Sequence, residues 1–188
     1  MTLYKNKYRI ESARCSKWDY TSDGNYFVTI CTHNRQCFFG DVIAGKMQLS
    51  DIGLIIAQEW QKTPQIRSNV QLDEWVVMPN HLHGIIIINP VETFRRNVST
   101  ANDKMQPKTN NKSRLKPNSL GSIIGQFKSV CTKRIWKMGF NDFRWQTRFH
   151  DHIIRDEESL HRIRQYIINN PAKWELDKNN PKHDQKNN

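Results

Sequence analysis

The chain has 188 residues, 37% of them hydrophobic, enough for one packed core and too few for a second domain. Lys and Arg outnumber Asp and Glu by 29 to 18, and the resulting net charge of +11 is the electrostatic footprint of a polyanion binder, usually nucleic acid. Cys15, Cys31, Cys37 and Cys131 form no Cys-x-x-Cys pair and no apolar run approaches the ~20 residues of a bilayer span, which argues against a structural zinc, a disulfide scaffold or a membrane segment.

The first nine residues, Met1 to Arg9, lack the apolar core of a signal peptide, so the expected location is the cytoplasm. Tyr26 to Thr32 follows an Asp23-Gly24 turn signal and is rich in β-branched and aromatic residues, the signature of a buried strand. Ser50 precedes apolar positions at helical spacing up to Trp60, and Pro64 closes that helix. Val70 to Val77 and His81 to Ile88 read as two strands of an antiparallel hairpin joined at Pro79-Asn80.

Residues 89–118 carry seven basic side chains against only Glu92 and Asp103, in a background of Asn, Thr, Ser and Pro. That composition buries too little apolar surface to order itself and predicts a flexible basic loop. Ser119 then caps a helix running to Met138, with Leu120, Ile123, Ile124, Phe127 and Cys131 on one stripe and Lys128, Lys133, Arg134 and Lys137 on a basic flank. Trp145 to Ile154 alternates as a fourth strand, and the acidic triplet Asp156-Glu157-Glu158 opens a last helix to Asn170. Residues 177–188 read as a polar, frayed tail to a single domain spanning 1–176. The order of elements predicts an α+β fold: a ferredoxin-like or RRM-like four-stranded antiparallel sheet with helices packed on it, the split βαβ arrangement.

His81-Leu82-His83 is the most informative motif. In a strand, alternate side chains share a face, so both imidazoles point one way and Leu82 points into a core. Two imidazoles at this spacing hold a cation while leaving much of its coordination sphere open, as a catalytic metal requires. In the last helix, at ~100° per residue, Leu160, Ile163 and Ile167 face the sheet while Tyr166 and Asn170 sit one turn apart at the edge of that stripe. His150-Asp151-His152 is a second His-x-His, but its central Asp suits a buried position poorly. The preferred reading is a polar, DNA-contacting face shared with Arg148, against a solvated structural strand or an alternative metal pair.

These segments match a family. Trp18-Asp19-Tyr20, Tyr26 to Thr32, Val76 to Gly84, Ile123 to Ser129, Trp145 to Asp156 and Tyr166 to Pro171, together with Glu11 to Arg14, resemble the REP-associated tyrosine transposases, relatives of the single-tyrosine transposases in the HUH (His-hydrophobic-His) endonuclease group. The resemblance runs from about residue 8 to 176, leaving out the basic loop. It implies that Tyr166 is the nucleophile and that His81 and His83 are metal ligands. It also implies that Asn170 takes the place of a third ligand that is often Gln in relatives, although Pro171 disfavours a helical backbone there.

The implied activity is metal-dependent cleavage and rejoining of single-stranded DNA at hairpins, with Mg²⁺ or Mn²⁺ as cofactor, a 5′-phosphotyrosyl intermediate and a free 3′-hydroxyl. The implied setting is the bacterial cytoplasm in association with DNA, as a monomer or a homodimer. Arg148, His150, His152, Lys128, Lys133 and Arg134 are the candidate DNA contacts. A catalytically silent DNA-binding regulator on the same fold is the alternative; an RNA-binding module lacks its aromatic RNP1 signature here.

Overall fold

The computed structural model describes residues 18–90 and 116–181. Most of the predicted basic loop, the Glu11 to Arg14 motif and residues 182–188 lie outside them. Four strands, β1 (Gly24–Cys31), β4 (Val70–Met78), β5 (His81–Ile88) and β6 (His150–Ile154), form one antiparallel sheet in the order β4-β5-β1-β6. Helices α1 (Asp51–Gln61), α3 (Leu120–Lys137) and α4 (Glu157–Asn169) pack on it, as the order of elements predicts.

Strand alternation sorts the sheet into two faces. Tyr26, Val28, Ile30, Leu82 and Ile86 point to a large core closed by Ile52, Ile56 and Trp60 of α1 and Ile123, Ile124, Phe127 and Cys131 of α3. Ile85 and Ile154 on the opposite face meet Leu160 and Ile167 of α4. Burying each such aliphatic side chain contributes about 1.5–3 kcal/mol, so α4 rests on a smaller apolar patch than α1 and α3 do. Both long N-terminal caps hold: Ser50 accepts from the Gly53 amide and Ser119 from the Ser122 amide. A bulge between Leu72 and Trp75 puts one extra residue on β4, which lets both of those side chains join the α1/α3 core.

Three expectations shift. A second, two-stranded sheet of β2 (Gly40–Ile43) and β3 (Lys46–Leu49) was not evident in the sequence. Its turn has Ala44 and Gly45 both at positive φ (48° and 73°), and Ala at a position that favours Asn or Asp hides the hairpin signal. The helix from Ser50 ends at Gln61, before Pro64 as expected, but Pro64 then sits in the first turn of a further short helix α2 (Thr63–Ile66), where its missing N–H costs nothing. The fourth strand begins only at His150. Thr32 pairs with Trp145 and Thr29 with His150, so six residues (145–150) face four (29–32) and the chain bows out between them. Arg148 lies on that bow, outside the alternation expected to align it with His150 and His152.

Candidate metal and nucleophile site

The Pro79-Asn80 turn sets His81 and His83 at the first and third positions of β5, on the face that carries α4. Leu82 enters the opposite core, fully buried. Gly84 follows because the Trp60 ring lies against it: an added Cβ would meet Trp60 Cζ2 at 2.6 Å.

Both imidazoles are buried, and their outer nitrogens converge. His81 Nε2 and His83 Nε2 lie 3.0 Å apart. The Asp177 carboxylate comes within 3.7 Å of His81 Nε2, and one donor atom from each of the three residues lies within 4.8 Å of the other two. Ligands at ~2.0–2.2 Å from a common cation stand roughly 3–4 Å from one another; the His81–His83 and His81–Asp177 separations meet this, and the group could hold a divalent ion. Burial pushes the His81 imidazole down to about 3. It also holds His83 well below its ordinary value, with the His81 neighbour adding to the effect and Asp177 opposing it. Each ring is therefore neutral at pH 7 and keeps the lone pair that a metal ligand needs.

Helix α4 brings the phenol. Its apolar stripe docks Leu160 and Ile167 on the sheet, and Arg164 holds it to β4 through a hydrogen bond of 2.9 Å to Asp73. Tyr166, at the edge of that stripe, is 45% exposed, and its hydroxyl lies 3.2 Å from His83 Nε2. Its ring meets Phe27 edge-on at 6.0 Å. Burial and the nearby Asp177 raise the Tyr166 phenol above its ordinary value, while the Asn170 carboxamide pulls the other way.

Asn170 itself is buried, and its Oδ1 has no hydrogen-bond partner, an acceptor left open beside the phenol. Its backbone is helical (φ −60°, ψ −44°) despite Pro171, because the chain continues into a 3₁₀ turn, Pro171–Leu176. That turn delivers Trp174, whose ring stands 6.0 Å from His81, and then Asp177. The segment assigned to a polar tail is thus packed at its start: Asn179 and Asn180 are buried, and the Asn179 carbonyl accepts from Asn80. Asp177 is the site residue that the sequence did not reveal. Nothing local marks it, since it sits among mostly exposed residues and its role comes from contacts almost a hundred residues away.

The remaining candidates divide. His150 and His152 are exposed on β6 and share the sheet face of His83, with His150 opposite Thr29 and His152 opposite Phe27. Lys128 instead holds the bow before β6 together: its ammonium donates to the carbonyls of Gln146 (2.7 Å) and Arg148 (3.1 Å), and burial lowers it to about 8. Arg134 is bound to Glu59 and Gln58 of α1. Lys133 is exposed on α3, in the layer across the sheet from Tyr166.

No family model matches the sequence. An uncharacterized protein of Haemophilus influenzae (strain ATCC 51907 / DSM 11121 / KW20 / Rd) is 39% identical over 166 residues, covering 88% of this chain and 90% of that protein. The two belong to one family. Among solved structures, that of a REP-associated tyrosine transposase superposes with a TM-score of 0.53 at 20% identity, covering 92% of this chain and 74% of the other. The family of the Haemophilus protein therefore has the fold of the REP-associated tyrosine transposases. Among the described residues, no helix is long and apolar enough to cross a membrane.

Proposed function

We propose that this chain is a metal-dependent endonuclease and strand transferase for single-stranded DNA, acting on hairpin, REP-like substrates through a 5′-phosphotyrosyl intermediate. The observation that carries the reading is the Tyr166 hydroxyl 3.2 Å from His83 Nε2, at the edge of the group formed by His81, His83 and Asp177. The structurally similar transposase was solved bound to a REP hairpin, and the net charge of +11 suits the same class of ligand here.

In this reading Tyr166 loses its proton and its phenolic oxygen attacks the scissile phosphorus. The new O–P bond joins the protein to the 5′ end of the downstream strand, while the bond to the upstream 3′ oxygen breaks and that oxygen takes up a proton. Reversal by another 3′-hydroxyl rejoins DNA without loss of the ester. A divalent ion bound at this site supplies charge stabilisation at the phosphate and alignment for in-line displacement. His81, His83 and Asp177 are its proposed ligands, with the open Asn170 oxygen as a fourth donor. Imidazole favours Mn²⁺ over Mg²⁺, and the carboxylate suits either. His150 and His152, on the sheet face of His83, are the proposed contacts to the strand that flanks the hairpin.

The test is end-labelled hairpin DNA incubated with the protein and Mn²⁺. A 3′-labelled strand should migrate with the protein on a denaturing gel, and a 5′-labelled one should be released as a shorter fragment. Binding of the hairpin with no adduct from either label would instead make the chain a DNA-binding regulator.

A further inference from the structure

The Asn80 side chain is buried completely and uses every polar atom. Its amide nitrogen donates to the carbonyls of Arg35 (2.8 Å) and Asn179 (2.7 Å), and its Oδ1 lies 2.8 Å from His81 Nδ1. These contacts fix the amide's orientation. Reversing it would press the oxygen against two carbonyl oxygens and aim the NH₂ at the imidazole, leaving two repulsive contacts in place of two hydrogen bonds. With an oxygen facing it, His81 Nδ1 must carry the hydrogen, which leaves the Nε2 lone pair directed at His83 and Asp177.

We infer that Asn80 is a positioning residue that sets the His81 tautomer for metal binding and, through the same amide, pins the segment bearing Asp177 across the site. This rests on the metal reading above. Ligating histidines generally need such a partner on the far nitrogen, to fix ring orientation and proton position. Here the partner also ties three separated stretches of chain to one ligand: the Asn34-Arg35 turn, whose residues both have positive φ, the β4–β5 turn, and residues 177–180.

His83 is set differently. Its Nδ1 lies 2.8 Å from the Thr29 hydroxyl, which can donate or accept. Because His81 Nε2 has no proton to give, the 3.0 Å contact between the rings requires that His83 Nε2 donate when no metal is bound. The two histidines should therefore hold opposite tautomers in the metal-free protein, and Thr29 lets His83 switch when a cation arrives.

Long-range ¹H–¹⁵N correlation spectra of the full-length, metal-free protein at pH 7 read both tautomers, with His81 assigned by the loss of its signals in His81→Ala. The expected result is a protonated Nδ1 on His81 and a protonated Nε2 on His83. A protonated Nε2 on His81 overturns the inference, and this arm needs no variant at Asn80. By calorimetry with Mn²⁺, Asn80→Ala should bind 10- to 100-fold more weakly than wild type. Asn80→Asp, which keeps an oxygen toward His81 but loses the donors to Arg35 and Asn179, should retain the His81 tautomer and fall between the two. An Asn80→Ala protein with wild-type affinity and an unchanged His81 spectrum would also overturn it. Absence of Mn²⁺ binding by wild type would strike the metal reading instead, while the tautomer spectrum would still decide the role of Asn80.

Discussion

Tyr166 Oη and His83 Nε2 stand 3.2 Å apart, and the same ring nitrogen is 3.0 Å from His81 Nε2. A neutral imidazole has one lone pair on that atom or one proton, so it cannot serve the phenol and a cation alike. Metal binding should release the hydroxyl from His83 and leave it to Asn170 and an incoming phosphate. Tyr166→Phe is therefore expected to abolish the covalent protein–DNA adduct while hairpin affinity stays within about twofold and thermal stability changes by less than about 1 kcal/mol, since the side chain is half exposed. Gel assays of adduct and binding check both halves. Cleavage at the wild-type rate in this variant would make Tyr166 a boundary aromatic with no part in the chemistry.

The identity of the oxygen ligands separates Asp177 from the second His-x-His. An anionic carboxylate at 3.7 Å from His81 Nε2 should matter more than a neutral amide. Asp177→Ala is expected to weaken Mn²⁺ binding by roughly tenfold or more in calorimetry, Asn170→Ala by less, and the joint change of His81 and His83 to Ala should remove the signal. Joint replacement of His150 and His152 should leave Mn²⁺ affinity nearly unchanged, because both side chains project from the exposed edge strand. If Asp177→Ala binds normally, the third ligand lies elsewhere.

What the sequence made legible was local. A cap residue before apolar residues at helical spacing located α1 and α3, an acidic first turn located α4, and period-two alternation placed His81 and His83 on one strand face. The offset to Leu160 and Ile167 set Tyr166 at the edge of the buried stripe, while its reading as a nucleophile came from the family resemblance. The bow before β6 depends on register against β1, which no window on residues 145–154 contains. Asp177 and the buried Asn179 depend on a turn at Pro79-Asn80. Polar residues are buried there because distant backbone carbonyls and an imidazole satisfy them, and composition alone reads such a stretch as solvent-exposed.

Gly84 links the strand of the proposed ligands His81 and His83 to the core behind it. A Cβ at this position would lie 2.6 Å from Trp60 Cζ2 and 3.2 Å from Trp75 Cβ, and Trp60 is fully buried. Neither the ring nor the strand can give way cheaply. Gly84→Ala should destabilise the fold by about 1–3 kcal/mol. At roughly 2–4 °C per kcal/mol for a domain of this size, the melting temperature should drop by several degrees. It should also weaken Mn²⁺ binding, because the strain falls one residue from His83. A melting temperature equal to wild type would mean that the Trp60 ring has more freedom than its packing indicates.

The pair Asp73–Arg164 carries a pH dependence with a definite sign. Arg164 donates to both carboxylate oxygens of Asp73, and these hydrogen bonds hold the Asp73 carboxyl below its ordinary value even though burial opposes them. A carboxyl depressed on folding contributes stability that is fully present above its unfolded pKa, about 3.9, and is lost as the pH falls through the lower folded value. Arg164 is more than a third exposed, so solvent screening reduces the contribution to on the order of 1 kcal/mol. Asp73→Asn should accordingly lower the melting temperature by a few degrees at pH 7 and pH 5, with the gap to wild type closing as the pH drops below about 4. Because this pair fastens α4 to β4, the same variant should also slow adduct formation at pH 7 while leaving Mn²⁺ affinity largely intact, since of the proposed ligands only Asn170 adjoins α4, at its end. A melting-temperature gap that stays constant from pH 7 to pH 3 would assign the effect to packing of the side chain and not to its charge.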